Sequence, residues 1–123
     1  MTAINAAIEV DLTGQINAET ADGAPVGGAG GLCDFMRGAR ASRGGRGIVA
    51  LRATDRTGQV SRIVPRVETV TVARTDADTI VTEYGIAELA HRSAAERARA
   101  LIAIAAPQHR DRLERQLLEG ARR

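Results

Sequence analysis

Aromatic residues are the scarcest feature of this sequence. Among its 123 residues, Phe35 and Tyr84 are the only aromatic ones, and tryptophan is absent. The hydrophobic core must therefore consist of Ala, Val, Ile and Leu, which bury less area per residue than aromatic rings do. Because such a core is thin for a chain of this length, we expect the chain to be part of something larger.

Lysine is absent as well, and all 17 basic residues are arginine. A genome rich in G and C produces this bias, since arginine has G- and C-rich codons. The 15 acidic residues leave a net charge of only +2, and the arginines are spread along the chain. With so few aromatic rings for base stacking, this composition predicts solvated faces with a few anion contacts and no nucleic-acid partner.

Cysteine and long apolar runs are scarce too. Cys33 is the only cysteine, which excludes an internal disulfide and a thiolate metal cluster. The longest apolar stretch, residues 98–106, is interrupted by Arg99 and is too short to cross a membrane. The N-terminus shows no signal-peptide pattern. We therefore expect a cytoplasmic protein with no membrane partner.

The first part of the chain has the period of strands. Residues 6–12 alternate apolar and polar side chains, which predicts a half-buried strand with Glu9 and Asp11 facing solvent. Thr13-Gly14 is a turn signal, after which residues 15–18 return as the second strand of a hairpin. Further strands are predicted at residues 48–51, 59–64, 69–73 and 79–82. A chain that begins directly on a strand is unusual for a complete domain.

Helices dominate the rest of the pattern. A glycine-rich loop at residues 22–31 precedes a predicted helix at residues 32–41. Ser93 and Glu96 have the spacing of a capping box, and Pro107 both stops that helix and opens another. Strands first and two helices last predict one α/β or α+β domain.

The glycine loop is the most informative local feature. Residues 27–31 read GGAGG directly before a helix, so their amides can cradle a phosphate or an oxyanion with help from the helix dipole. Glycine suits this role because a Cβ would block close approach to the backbone. The pattern is neither a dinucleotide fingerprint nor a P-loop. A plain turn is the alternative interpretation.

The remaining chemical groups give weaker signals. His91 and His109 have no partner at ligand spacing, so we interpret both as surface residues and expect no metal site. Cys33 is either a reactive thiol beside the loop or a small buried hydrophobe. A triad of Ser61, His91 and Asp78 can be drawn, but no nucleophile elbow supports it.

Several segments in a fixed order resemble one protein family. They read AIEVDLTGQINAE, GGAGGLCDFMRGARASRGGRGIVAL, TGQVSRIVP, TVARTDADTIVTEYGIAEL and ERARALIAIAAP. They are similar to the C-terminal segment of acetyl-CoA hydrolases and of 4-hydroxybutyrate and succinyl-CoA:acetate CoA-transferases. The resemblance runs almost continuously from about residue 5 to residue 115. Several distinct motifs in one order make it far more specific than a glycine pattern alone.

The resemblance implies the open α/β CoA-transferase fold, with two similar domains per subunit and a homodimer in the full-length family. Residues 1–123 would be the C-terminal part of the second domain. Family enzymes attack an acyl-CoA with a glutamate that becomes a glutamyl-CoA thioester. That glutamate lies upstream of the segment matching AIEVDL, so none of the glutamates here corresponds to it. The acyl-CoA is a substrate, and no resident cofactor is implied.

The resemblance also implies a binding role for the glycine loop, whose amides would lie near the thioester oxygen. The matching residues are Gly28, Gly30 and Gly31. Asp34 and Phe35 would position the loop, and Arg74 and Glu83 match positions on the substrate side. From the residues alone, Glu83 is equally a local cap at a strand end.

Three positions depart from the family pattern. Leu32 stands where a glutamine is usual after Gly-Gly, residues 51–54 replace Leu-Pro-Ser-Thr, and Arg66 replaces a histidine. We therefore expect a chain that is inactive alone, either a fragment of such an enzyme or one subunit whose partner chain supplies the N-terminal domain. The alternative is a non-catalytic module that binds CoA or another anion.

Overall fold

The computed structural model of the protein describes residues 1–121. Within them, nine strands and three helices follow one another along the chain. They are β1 (Thr2–Ala6), β2 (Glu9–Asp11), β3 (Ile16–Asn17), β4 (Thr20–Ala21), β5 (Ala24–Pro25), α1 (Leu32–Ala41), β6 (Arg46–Ala50), β7 (Ile63–Val64), β8 (Thr79–Thr82), β9 (Gly85–Glu88), α2 (Ala94–Ile104) and α3 (Pro107–Ala121). The predicted α/β class is confirmed.

Two sheets organise these elements. The larger sheet has the strand order β1-β6-β8-β9, in which β1, β6 and β8 are parallel and β9 pairs antiparallel with β8. Its register places Val49 between Asn5 and Ile80. The smaller sheet has the order β3-β2-β7, and β4 and β5 form a separate hairpin.

Helices α1 and α2 cover the same face of the larger sheet. A Cβ on Gly47 would lie 2.9 Å from the sulfur of Met36, so α1 packs directly on β6. The Thr82 hydroxyl donates to the Ile104 carbonyl at 2.6 Å, which holds the end of α2 against β8. Because side chains two apart on a strand share a face, the register puts Gly47 and Thr82 on one side of the sheet.

The core is aliphatic, as the composition predicts. Its fully buried members include Val10, Ile16, Ile63, Leu101 and Leu113. Within residues 1–121 no aromatic side chain is buried, since Phe35 is 53% exposed and Tyr84 is 46% exposed. The two rings therefore contribute little to the interior.

Predictions that rest on local signals are confirmed. Helix α1 has the predicted bounds, and Pro107 is the first residue of α3. The capping box of α2 is formed in both directions. The Glu96 amide donates to the Ser93 hydroxyl at 3.2 Å, and the Ser93 amide donates to the Glu96 carboxylate at 3.0 Å.

Several other predictions are wrong. Asp11 is fully buried and not solvent-facing, and His109 is only 6% exposed and not a surface residue. The imidazole of His109 lies 2.9 Å from the Gly58 carbonyl, which explains its burial. The predicted strand at residues 69–73 forms one isolated bridge, and the one at 59–64 shortens to β7. Strands β1, β4, β5 and β9 were not predicted. Strand β5 lies inside the segment predicted as a loop, because a tight turn at residues 22–23 pairs it with β4.

Candidate functional site

The glycine loop lies at the end of α1 that points toward the carboxyl ends of the parallel strands. The opposite end of α1 meets the strand beginnings. There, the Met1 ammonium donates to the Ser42 hydroxyl at 3.0 Å, and the Arg46 amide donates to the Met1 carbonyl at 3.0 Å. Helix α1 is therefore antiparallel to β1 and β6. In open α/β sheets, ligands bind beyond the carboxyl ends of the strands.

Only the amides in the first part of the loop have an acceptor within residues 1–121. The amides of Val26 and Gly27 both donate to the Glu19 carbonyl, at 2.7 and 3.2 Å. Within residues 1–121, the amides of Gly28, Gly30 and Gly31 have no protein acceptor. All three residues are exposed. The loop thus presents three free N–H donors next to a helix N-terminus, where partial positive charge favours an anion.

The space beside the loop is open. A Cβ built on Gly28 or Gly30 would have no atom of the described chain within 4 Å. Gly30 has φ +56°, a conformation that favours glycine. Gly31 differs, because its Cβ would lie 3.0 Å from the Phe35 ring, and the Phe35 amide donates to its carbonyl at 2.9 Å. Phe35 is therefore the side chain in contact with the loop, while Asp34 is exposed in the first turn of α1.

The other chemical candidates have structural partners. The Cys33 thiol donates to the Thr71 carbonyl at 2.8 Å and packs against the core. Ser61 donates to the Ile63 carbonyl, and Asp78 accepts from the Gly47 amide. In the described part of the chain, no hydrogen bond joins Ser61, Asp78 and the exposed His91, so the drawn triad does not form.

Arg74 and Glu83 lie at different places around the larger sheet. Glu83 follows β8 directly, and its carboxylate accepts from the Ala53 amide at 2.7 Å, which ties the segments beyond β6 and β8 together. Arg74 is exposed, and its carbonyl accepts from the Arg97 guanidinium at 2.7 Å. Burial lowers the pKa of Arg97, and the charges of Arg40 and Arg74 lower it further.

The second face of the larger sheet is apolar over part of its area and carries Thr2, Arg46, Thr79 and Glu88 over the rest. The register places on it Ile4, Ala6, Ile48, Ala50, Val81 and Ile86, which we call the outer face. Ile4 is 69% exposed and Ile86 is 66% exposed. Both α1 and α2 lie on the opposite side, so these side chains have no helix over them in the described chain.

A basic depression opens beyond the carboxyl ends of β1 and β6. Its volume is about 440 Å³, and it is lined by Ala7, Ile8, Arg52, Thr54, Asp55, Arg56 and Arg62, which we call the arginine depression. Sequence patterns do not reveal it, because its three arginines are spaced along a loop. No run or motif marks them. The three arginines come close together because an antiparallel bridge between Thr54 and Ser61 closes that loop.

Two further observations concern residues 1–121. No group of three or more His, Cys, Asp and Glu side chains is placed to hold a metal ion. Among the same residues, no helix has both the length and the apolar character needed to cross a bilayer.

Comparisons with known proteins converge on one family. The family model of the acetyl-CoA hydrolase/transferase C-terminal domain matches residues 1–117. A 4-hydroxybutyrate coenzyme A transferase from Clostridium kluyveri is 45% identical over 116 residues, covering 92% of this chain and 27% of its own. A butyryl-CoA:acetate CoA-transferase from Anaerostipes caccae is 48% identical over 116 residues, covering 89% and 26%.

The solved structure of RipA from Yersinia pestis is similar to this chain. It superposes with a TM-score of 0.91 at 43% identity, covering 98% of this chain and 28% of its own. The fold of these residues is therefore that of the matching segment of RipA. The chain spans about a quarter of the length of the relatives it matches.

Proposed function

This chain belongs to the acetyl-CoA hydrolase/transferase C-terminal domain family, and on that premise we propose that it supplies the oxyanion-binding glycine loop of an acyl-CoA transferase or acetyl-CoA hydrolase. The enzyme would transfer CoA from an acyl-CoA to a carboxylate through a glutamyl-CoA thioester. In the hydrolase reaction, water would attack that thioester and free CoA would leave. The attacking glutamate would lie outside these 123 residues. The free amides of Gly28, Gly30 and Gly31 are the observation that supports the proposal most directly.

The chemistry explains why free amides matter. When a carboxylate attacks a thioester carbonyl, negative charge develops on the carbonyl oxygen. Donors aimed at that oxygen bind the transition state more tightly than the substrate, and only this difference accelerates the reaction. Amides already paired within the protein could not contribute. The glycines also let the thioester approach the backbone, because Gly28 and Gly30 have no side chain and no other atom lies within 4 Å of the place where a Cβ would be.

The outer face supports the proposal that residues 1–123 form the C-terminal part of a larger second domain. Parallel sheets are normally covered on both faces. The larger sheet here is covered by α1 and α2 on one face only, leaving Ile4 and Ile86 exposed on the other. We assign the rest of the enzyme as the occupant, either on the same polypeptide or as a partner chain. That region would also enclose the glycine loop.

We also propose that Arg74 and Glu83 lie on the substrate side of this enzyme. Glu83 lies at the same strand ends toward which the loop points, although its carboxylate already accepts from Ala53. The substrate would be an acyl-CoA, with no resident cofactor. A second candidate function, a non-catalytic module for CoA or another anion, is favoured by the arginine depression.

Gly28→Val in an assembled enzyme tests the proposal. The chain would be combined with the first three quarters of the C. kluyveri relative, and CoA transfer would be measured. Gly28 suits the test because its φ is not in the left-handed region and its Cβ would meet no neighbour. We expect turnover to fall at least about a hundredfold, the effect typical of a damaged oxyanion hole, with an unchanged melting temperature.

Gly27→Val is the matched control. Its Cβ would also meet no neighbour, but its amide is already paired with Glu19, so we expect turnover near that of the wild type. Gly30→Val is a poorer probe, because φ +56° strains a β-branched residue. If Gly28→Val and Gly27→Val have equal turnover, the loop is a simple connector. An assembled enzyme without any turnover would leave the binding module as the better function.

A further inference from the structure

The arginine depression concentrates positive charge at the end of the fold where α/β sheets hold ligands. Ala7 and Ile8, immediately after β1, form its apolar wall. Arg52 follows β6, and Arg56 and Arg62 come from the loop after it. The depression is open to solvent and has a volume of about 440 Å³.

The three arginines are available to a ligand. Within residues 1–121, the guanidinium groups of Arg52, Arg56 and Arg62 make no hydrogen bond and no ion pair. Arg52 and Arg56 are exposed, and Arg62 is half-buried.

The one acid of the depression does not neutralise this charge. The Asp55 carboxylate accepts from the Thr57 hydroxyl at 2.7 Å and from the Val60 amide at 3.4 Å, both within its own turn. The hydrogen bond from Thr57 lowers the pKa of Asp55, so it stays ionised. Three guanidinium charges against one carboxylate leave an excess of two positive charges.

We infer that the arginine depression binds a phosphate-bearing ligand with two or more negative charges. Guanidinium groups match phosphate in geometry and form paired, charge-assisted hydrogen bonds with it. Ala7 and Ile8 can contact an apolar or aromatic part attached to the phosphate. The charges and positions of these residues are sufficient to imply the phosphate site. Its assignment to the nucleotide end of coenzyme A rests on the proposed function.

Calorimetric titration of the full chain with adenosine 3′,5′-bisphosphate tests the inference. The variant Arg52→Ala/Arg56→Ala/Arg62→Ala removes the site. The variant Arg43→Ala/Arg99→Ala/Arg115→Ala is the matched control, because it removes the same net charge from exposed arginines elsewhere. Thermal melting of both variants checks that they fold.

We expect the first variant to lose at least about a hundredfold in affinity, since one charge-assisted hydrogen bond is worth about tenfold or more. The control should stay within about threefold of the wild type. Equal losses in the two variants would mean general charge attraction and would overturn the site. Adenosine binding as tightly as the bisphosphate would overturn phosphate recognition.

Inorganic pyrophosphate distinguishes the two sources of phosphate. If it binds as tightly as the bisphosphate, the site is a phosphate site and the assignment to coenzyme A falls. Weaker binding of pyrophosphate supports that assignment. None of these measurements needs turnover, so failure of the phosphate site and failure of the oxyanion role of Gly28 are separate results.

Discussion

Replacing Asp11 by alanine should be among the most damaging single changes in this chain. Its carboxylate accepts from the Thr13 amide at 2.9 Å, the Thr13 hydroxyl at 2.6 Å, the Gln15 amide at 3.1 Å and the Val67 amide at 3.2 Å. In the variant, the Thr13 hydroxyl can rotate and donate its hydrogen bond to water. The three amides would lose their acceptor, and each buried unsatisfied donor costs about 1–3 kcal/mol.

We expect Asp11→Ala to lower the free energy of unfolding by about 3–5 kcal/mol, allowing for partial rehydration of the turn. That is a large share of the roughly 5–15 kcal/mol that holds a domain together. Urea unfolding followed by circular dichroism measures the difference. Asp11→Asn, which keeps one acceptor oxygen, should lose less.

Asp34→Ala is the control, because Asp34 is exposed and makes no side-chain hydrogen bond within residues 1–121. We expect it to change the free energy of unfolding by less than about 1 kcal/mol. A loss below about 1 kcal/mol for Asp11→Ala would refute the reasoning, since it would show that water satisfies the turn as well as the carboxylate does.

Four further outcomes are expected. The isolated chain should release no thiol from acetyl-CoA, and turnover abolished by mutating one of its own glutamates would contradict this. Nucleic-acid binding measured at physiological salt should be weak and salt-sensitive, so a submicromolar, sequence-selective complex would be evidence against our interpretation of the composition. Ile86→Asp should prevent co-purification with the N-terminal region of a relative, whereas Val70→Asp, also at an exposed position, should not. Ser93→Ala should lower the melting temperature by a few degrees, because the Glu96 amide loses its acceptor, the Ser93 hydroxyl.

The sequence by itself determined the features whose causes lie within a few residues. Helix α1 starts and stops where glycines flank an apolar stripe. The α2 cap follows from Ser93 and Glu96, which are one turn apart, and Pro107 fixes the start of α3. The lack of aromatic rings likewise determined an aliphatic core. The glycine loop was identified from its composition, and its oxyanion role remains a prediction.

Tertiary structure alone decided what depends on distant partners. Asp11 is buried because the Val67 amide, 56 residues away, completes its set of donors. His109 is buried because α3 brings it to the Gly58 carbonyl, 51 residues away. The bare outer face needs the pairing of β1 with β6, and the arginine depression needs three arginines gathered by a folded loop. Local periodicity cannot encode these arrangements, because burial and charge clustering are set by which segments pack together.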